Sequence, residues 1–263
     1  MSKVLLLLMI SFLSFRSFAG LTVPYEKAWH KNNLKVCWER TDENFITEKV
    51  IIKSVIESEY KIERTGVFFS GWKECKFFDN HAVRLIIRRD KSLENLKGIG
   101  GSAGSVGFPV ESRKRKNLKI QFTLYSGDIN SSIKLDDLLG YTALHEFGHI
   151  AGLAHEHGIT TGKDIGNEPL KQVSVYNPNS VMDYPLNDYM TKHGSDFEIN
   201  EGTPRLEQDL NVELYEDRNA KVRASVIMSK LSYGDIHSLK CLYVYNSDER
   251  NDKCHPSYEV HKP

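Results

Sequence analysis

Residues 145–157 read HEFGHIAGLAHEH, a run that combines side chains able to hold a metal with one able to move a proton. His145 and His149 are four residues apart, so on a helix both imidazoles fall on one face a turn apart, close enough to bind one tetrahedral zinc. Glu146 stands beside the first of them without being placed to ligate. Its carboxylate can take a proton from an attacking water, as a general base must. His155 would lie on another part of a straight helix, so the chain has to turn before it. Gly152 is the residue that adopts a positive φ at no steric cost. Three neutral histidines leave a fourth metal position open, the arrangement of a catalytic zinc rather than a closed structural one. Such an ion acidifies a water and polarises a carbonyl.

The elements that must position these residues are legible in the hydrophobic pattern. A helix is expected from Leu135 through Gly152, with Asp136 and Asp137 in a first turn where the helix dipole favours negative charge. Upstream, residues 34–39 alternate as a half-buried strand does, and the first strand is placed there. Residues 44–60 put Ile46, Val50, Ile51, Val55 and Ile56 at helical spacing. The segments 66–72, 82–88 and 118–125 are rich in β-branched and aromatic residues and read as strands. A strand, a helix and further strands predict a twisted, mostly parallel sheet. Residues 158–180 and 186–230 are polar, with a short helical suggestion at 219–231, and 231–245 reads as a final helix. The run GIGGSAGSVG at 98–107 contains a relaxed dinucleotide fingerprint, but it neither leaves a strand directly nor opens a helix, so it is a glycine-rich loop or irregular edge strand. Arg113, Lys114, Arg115 and Lys116 form a basic cluster expected at a solvated hairpin tip.

Composition sets the compartment and excludes several classes. With 40% hydrophobic and 27% charged residues the chain of 263 is globular, neither collagen-like nor low-complexity. Lys+Arg and Asp+Glu tie at 35, so no overall field draws it to nucleic acid. Lys3, the apolar run at 4–15 and the small residues Ser17 and Ala19 make residues 1–19 a secretory signal peptide, too short an apolar run to span a bilayer. The remainder, 20–263, shows no repeat or linker and is taken as a single domain, secreted or periplasmic. An exported chain meets oxidising conditions, so Cys37, Cys75, Cys241 and Cys254 are expected to form two disulfides. Of the possible pairings, nearness in the chain favours Cys37 with Cys75 and Cys241 with Cys254.

The sequence resembles the metzincin clan of zinc endopeptidases, whose extended motif HExxHxxGxxH it matches in full. Glu156, directly after the third histidine, is similar to the family-defining residue of the astacins. SVMDY at 180–184 resembles the clan's methionine turn, with Met182 as its methionine and Tyr184 where astacins carry a tyrosine that can be a fifth metal ligand. LSYGDIHSLKCLY at 231–243 resembles the astacin C-terminal helix. The astacin signature departs after Glu156, where this chain reads HGITTGKD, so the likeness is to a divergent member. The resemblance implies an α+β, metzincin-type fold: a twisted, mostly parallel sheet, an antiparallel edge strand at about 101–110 against which substrate extends, an active-site helix, and an irregular lower half with a C-terminal helix.

The expectation is therefore a monomeric, astacin-like zinc endopeptidase acting on protein or peptide substrate, with no nucleic-acid partner and no stable membrane insertion. Its metal ligands are His145, His149 and His155. Glu146 and Tyr184 are its catalytic residues, and Gly152, Glu156 and Met182 are structural neighbours. The rival expectation is a secreted protein of the same fold that binds without turnover, whose mark would be a damaged ligand set or base. A zinc hydrolase acting on something other than peptide carries the same motif.

Overall fold

The computed structural model describes residues 18–41, 43–76, 82–90, 99–104, 118–125, 135–155, 170–175, 180–182, 196–198, 212–216, 222–226 and 230–257. Its centre is a five-stranded sheet built from β2 (Asn33–Trp38), β3 (Phe68–Glu74), β4 (Val83–Asp90), β5 (Ile99–Ala103) and β6 (Lys119–Tyr125), in the order β3-β2-β4-β6-β5. Every pair is parallel except β5 on β6, so β5 is an antiparallel edge strand, and it overlaps the one expected from the resemblance at about 101–110 only over 101–103. Residues 105–110 lie outside the described residues.

Alternation along the strands decides which face is covered. Val83, Leu85 and Ile87 on β4, with Ile120, Phe122 and Leu124 on β6 and Leu34, Val36 and Trp38 on β2, form the inner face. Against it pack α1 (Ile46–Glu59), through Ile52 and Ile56, and α3 (Leu135–Ala151), through Leu139, Ala143, Leu144, Phe147 and Ile150. The outer face carries Lys35, Arg84, Ile86, Arg88, Lys119, Gln121 and Thr123. Cys37 faces the same way yet is buried, because it is disulfide-bonded to Cys75 just past β3. The second disulfide joins Cys241 to Cys254, so both expected pairings are present. Disulfides of this kind belong to oxidising compartments. Among the described residues no helix is long and apolar enough to cross a membrane.

Five strands lie where the sequence reading expects none. A strand β1 (Phe18–Thr22) precedes the one expected first, and it pairs antiparallel with β7 (Lys171–Val175). Its opening residues overlap the expected signal peptide, of which residues 1–17 lie outside the described residues. Where a short helix is expected at 219–231, the chain instead forms β10 (Val222–Val226), with β8 (Asp196–Glu198) on one side and β9 (Val212–Glu216) on the other. The β-branched ends of VRASV suit a paired strand, and pairing on both edges overrides the local helical spacing. The lower half is therefore less irregular than expected.

The chain ends in α4 (Tyr233–Tyr243) and α5 (Ser247–Lys253); a single-turn α2 (Ile62–Thr65) precedes β3. Each terminal helix opens on a reciprocal capping box, Ser232 with Asp235 and Asn246 with Glu249. That chemistry starts α4 two residues later than the hydrophobic spacing alone suggests.

Candidate metal centre

α3 carries His145, Glu146 and His149 and then stops abruptly. Gly152 takes φ 102°, its N–H bonds the His149 carbonyl at 2.9 Å, and the Leu153 N–H bonds the Gly148 carbonyl at 2.9 Å. This is the Schellman pattern, and glycine fits its left-handed position. The turn expected from the sequence at Gly152 is thus present, and it brings His155 back over the helix end.

The remaining carbonyls of the last turn are also capped. Trp29 Nε1 donates to the Ile150 carbonyl at 2.7 Å, the Tyr243 hydroxyl to the Ala151 carbonyl at 2.7 Å, and the Val23 N–H to the Gly152 carbonyl at 2.9 Å. The Ala154 N–H donates to the Leu21 carbonyl at 2.8 Å, and Thr22 bridges Leu153, so β1 holds the segment leading to His155 along one edge and β7 along the other.

The three imidazoles converge through their Nε2 atoms. His155 Nε2 lies 3.0 Å from that of His145 and 2.9 Å from that of His149. His145 Nδ1 faces the Val181 carbonyl at 2.7 Å and His149 Nδ1 the Leu153 carbonyl at 3.0 Å. A carbonyl only accepts, so the Nδ1 of His145 and of His149 carries the proton and the Nε2 of each turns a lone pair toward His155 Nε2. Burial and the neighbouring His145 and His155 hold the His149 imidazole well below its ordinary pKa, which keeps it neutral and able to ligate. The three ring nitrogens lie within 4.8 Å of one another, close enough for one cation to sit among them. The donor set fits one metal ion with three nitrogen ligands, and among the described residues no fourth ligand joins them.

Glu146, next to His145 on α3, sets its carboxylate against β5. It is 5% exposed, its Oε2 is buried without a hydrogen-bond partner, and its carboxylate accepts from the Ala103 backbone of β5. Burial pushes its pKa up from 4.5 to about 8, with the Ala103 bond opposing the rise. β5 passes so near that a Cβ on Gly101 would stand 2.4 Å from Glu146 Oε1. The glycine run thus admits an edge strand against the carboxylate.

Below the imidazoles runs Ser180-Val181-Met182. The Val181 carbonyl that orients His145 also accepts from the Tyr141 hydroxyl at 3.2 Å. Met182 is buried against α3, where a Cβ on Gly148 would stand 2.7 Å from its sulfur. Asp235, buried at the head of α4, ties this segment down. It accepts from Ser180 Oγ at 2.5 Å, from the Val181 N–H at 3.2 Å, and from the Ser232 N–H and hydroxyl at 3.0 and 2.8 Å. Burial raises the Asp235 pKa, and these four donors oppose it.

The structure therefore brings together His145, Glu146, His149, His155, Gly152 and Met182. Glu156 and Tyr184 lie outside the described residues. Sequence reasoning missed Asp235, Trp29 and Tyr243. For Asp235 the capping signature S-x-x-D at 232–235 was the available signal, whereas nothing local marks the other two.

No family model matches the chain, and no curated protein matches it. It is similar to solved structures of myroilysin. One is 14% identical over 85% of this chain and 85% of that chain with a TM-score of 0.44, and another is 12% identical over 83% and 86% with a TM-score of 0.40.

Proposed function

We propose that the protein is an exported, astacin-like zinc endopeptidase of the metzincin type, with residues 20–263 as its single catalytic domain. The observation that carries this reading is the convergence of three imidazole Nε2 atoms at the end of the helix that also bears Glu146, whose buried Oε2 has no partner. Zinc held by His145, His149 and His155 would supply Lewis acidity, polarising the peptide carbonyl and acidifying water. Glu146 takes the proton from the attacking water and delivers it to the departing amine, so the proton is conserved and no covalent enzyme intermediate forms. Its desolvated setting favours holding that proton between the two transfers. The edge of β5 not paired with β6 offers main-chain groups to an extended peptide next to Glu146. Met182 and Asp235 fix the floor under the imidazoles.

The test is digestion of a proteome-derived peptide library by the metal-loaded protein with and without chelator. Internal cleavages that vanish with chelator and return with zinc are expected; a metal-loaded protein that leaves the library intact overturns the reading. Tyr184 is assigned as a donor to the developing oxyanion. Tyr184→Phe is expected to lower kcat by about 10²-fold or somewhat less, with KM little changed and zinc content retained. A kcat within about twofold of the parent removes Tyr184 from the catalytic set.

A further inference from the structure

The outer face of the five-stranded sheet is covered by none of the described helices and is strongly basic. Strand register puts Lys73, Cys37, Arg84 and Lys119 in one row across β3, β2, β4 and β6. At strand spacing the row is about 14 Å long. Lys35 lies to one side of it and Arg88 to the other. Among the described residues Lys35, Lys73, Lys119 and Arg88 have no acidic partner; only Arg84 is paired, with Glu39 at 2.6 Å. The Cys37–Cys75 disulfide sits inside the row and ties β2 to the end of β3, so the spacing of the charges is fixed beforehand.

The row leads into a cleft. Glu39, the partner of Arg84, lines a hollow of about 470 Å³ with Arg40, Arg88, Phe45 and Ile86; its second carboxylate, Glu43, is paired there with Arg89 at 3.3 Å. The guanidinium groups of Arg40 and Arg88 suit a carboxylate or sulfate, and Ile86 and Phe45 give an apolar wall. Polar side chains with both donors and acceptors, Asn33, Ser70, Gln121 and Thr123, are interleaved with the cations on the same face.

We propose that this face is a docking surface for an acidic polysaccharide, which lies across the lysine row and seats one charged sugar in the Arg40–Arg88 cleft. Charge complementarity requires a polyanion. No aromatic side chain stands within the row, as base stacking on a single-stranded nucleic acid would need. The apolar and aromatic side chains on the face are few and scattered, Phe68 on β3, Ile86 on β4 and Tyr125 on β6, rather than the contiguous patch that entry into a lipid surface needs. Hydroxyl and amide groups set between the cations match sugar hydroxyls. The chain's overall neutrality makes the surface local rather than a general field.

The probe is heparin, binding to the full chain read by fluorescence anisotropy over a salt series. Lys73→Glu with Lys119→Glu is expected to weaken heparin binding by about tenfold or more, whereas the charge-matched Lys53→Glu with Lys61→Glu, on the helix-covered side, changes it less than about twofold. Arg40→Gln with Arg88→Gln tests the cleft separately and is expected to weaken binding by about threefold or more. Each variant is checked by thermal melting, and the glutamine versions of Lys73 and Lys119 replace any glutamate variant that does not fold. Equal losses in the two charge-matched pairs, no measurable heparin binding by the parent chain, or tighter binding of single-stranded DNA or phosphatidylserine vesicles at equal salt would each overturn the assignment.

Discussion

Glu146→Gln is expected to lower peptide hydrolysis by about 10²–10⁴-fold while leaving the metal content unchanged. Glutamine keeps the shape of the side chain but cannot accept the proton, and the three histidine nitrogens do not depend on it. Metal analysis and the library assay on the same sample separate the two effects. Loss of metal with activity would make Glu146 a ligand, and retained activity would remove it as the base. The same substitution has a second signature in the metal-free protein. The carboxyl binds its proton up to a pH of about 8 in the folded chain against an ordinary 4.5, so between those values the folded state holds more protons than the unfolded one. This contribution is fully present below the lower value, and stability falls as pH rises through the window. Melting of the chelated parent should therefore drop between pH 5 and 8, in part through Glu146, and the glutamine variant should lose that part of the slope.

Asp235→Ala is expected to be the most damaging single change away from the histidines. It strands the Ser180 hydroxyl, the Val181 N–H and two donors of Ser232, all buried, at a cost of about 3 kcal/mol or more. It also frees the segment whose Val181 carbonyl orients His145, and loss of such an outer partner weakens metal binding by about 10–100-fold. Denaturant melts and competition with a chelating dye read the two effects, and Asp248→Ala, an exposed first-turn residue of α5, should move stability by less than about 0.5 kcal/mol. If metal affinity is unchanged in folded Asp235→Ala, the Val181 carbonyl is held by other contacts.

The sheet and the histidine pair of α3 were legible because both rest on local periodicity. Four residues separate His145 from His149, and a period of two marks Val83, Leu85 and Ile87, so spacing alone locates helix and buried face. Gly152 was legible because only one residue type suits its conformation. β1 was not, because its residues adjoin an apolar leader and its reason to be a strand is β7, far along the chain. The segment 219–231 misled for the same reason: its spacing suits a helix, but β8 and β9 supply partners that no local window contains. Trp29 and Tyr243 act through single donors to carbonyls of α3, and a lone hydrogen bond across the fold leaves no pattern in sequence.

The double pairing of β1 bears on the order in which the molecule becomes itself. The contacts that set the path to His155 join residues separated by 149 positions between Thr22 and Lys171, 121 between Trp29 and Ile150, and 92 between Tyr243 and Ala151. Loops of this length close late, since their entropy is lost before the contact returns anything. A nascent or truncated chain thus presents two histidines on a helix but not the third in place. Tight metal capture by all three reports that the first strand and the last helices have already met.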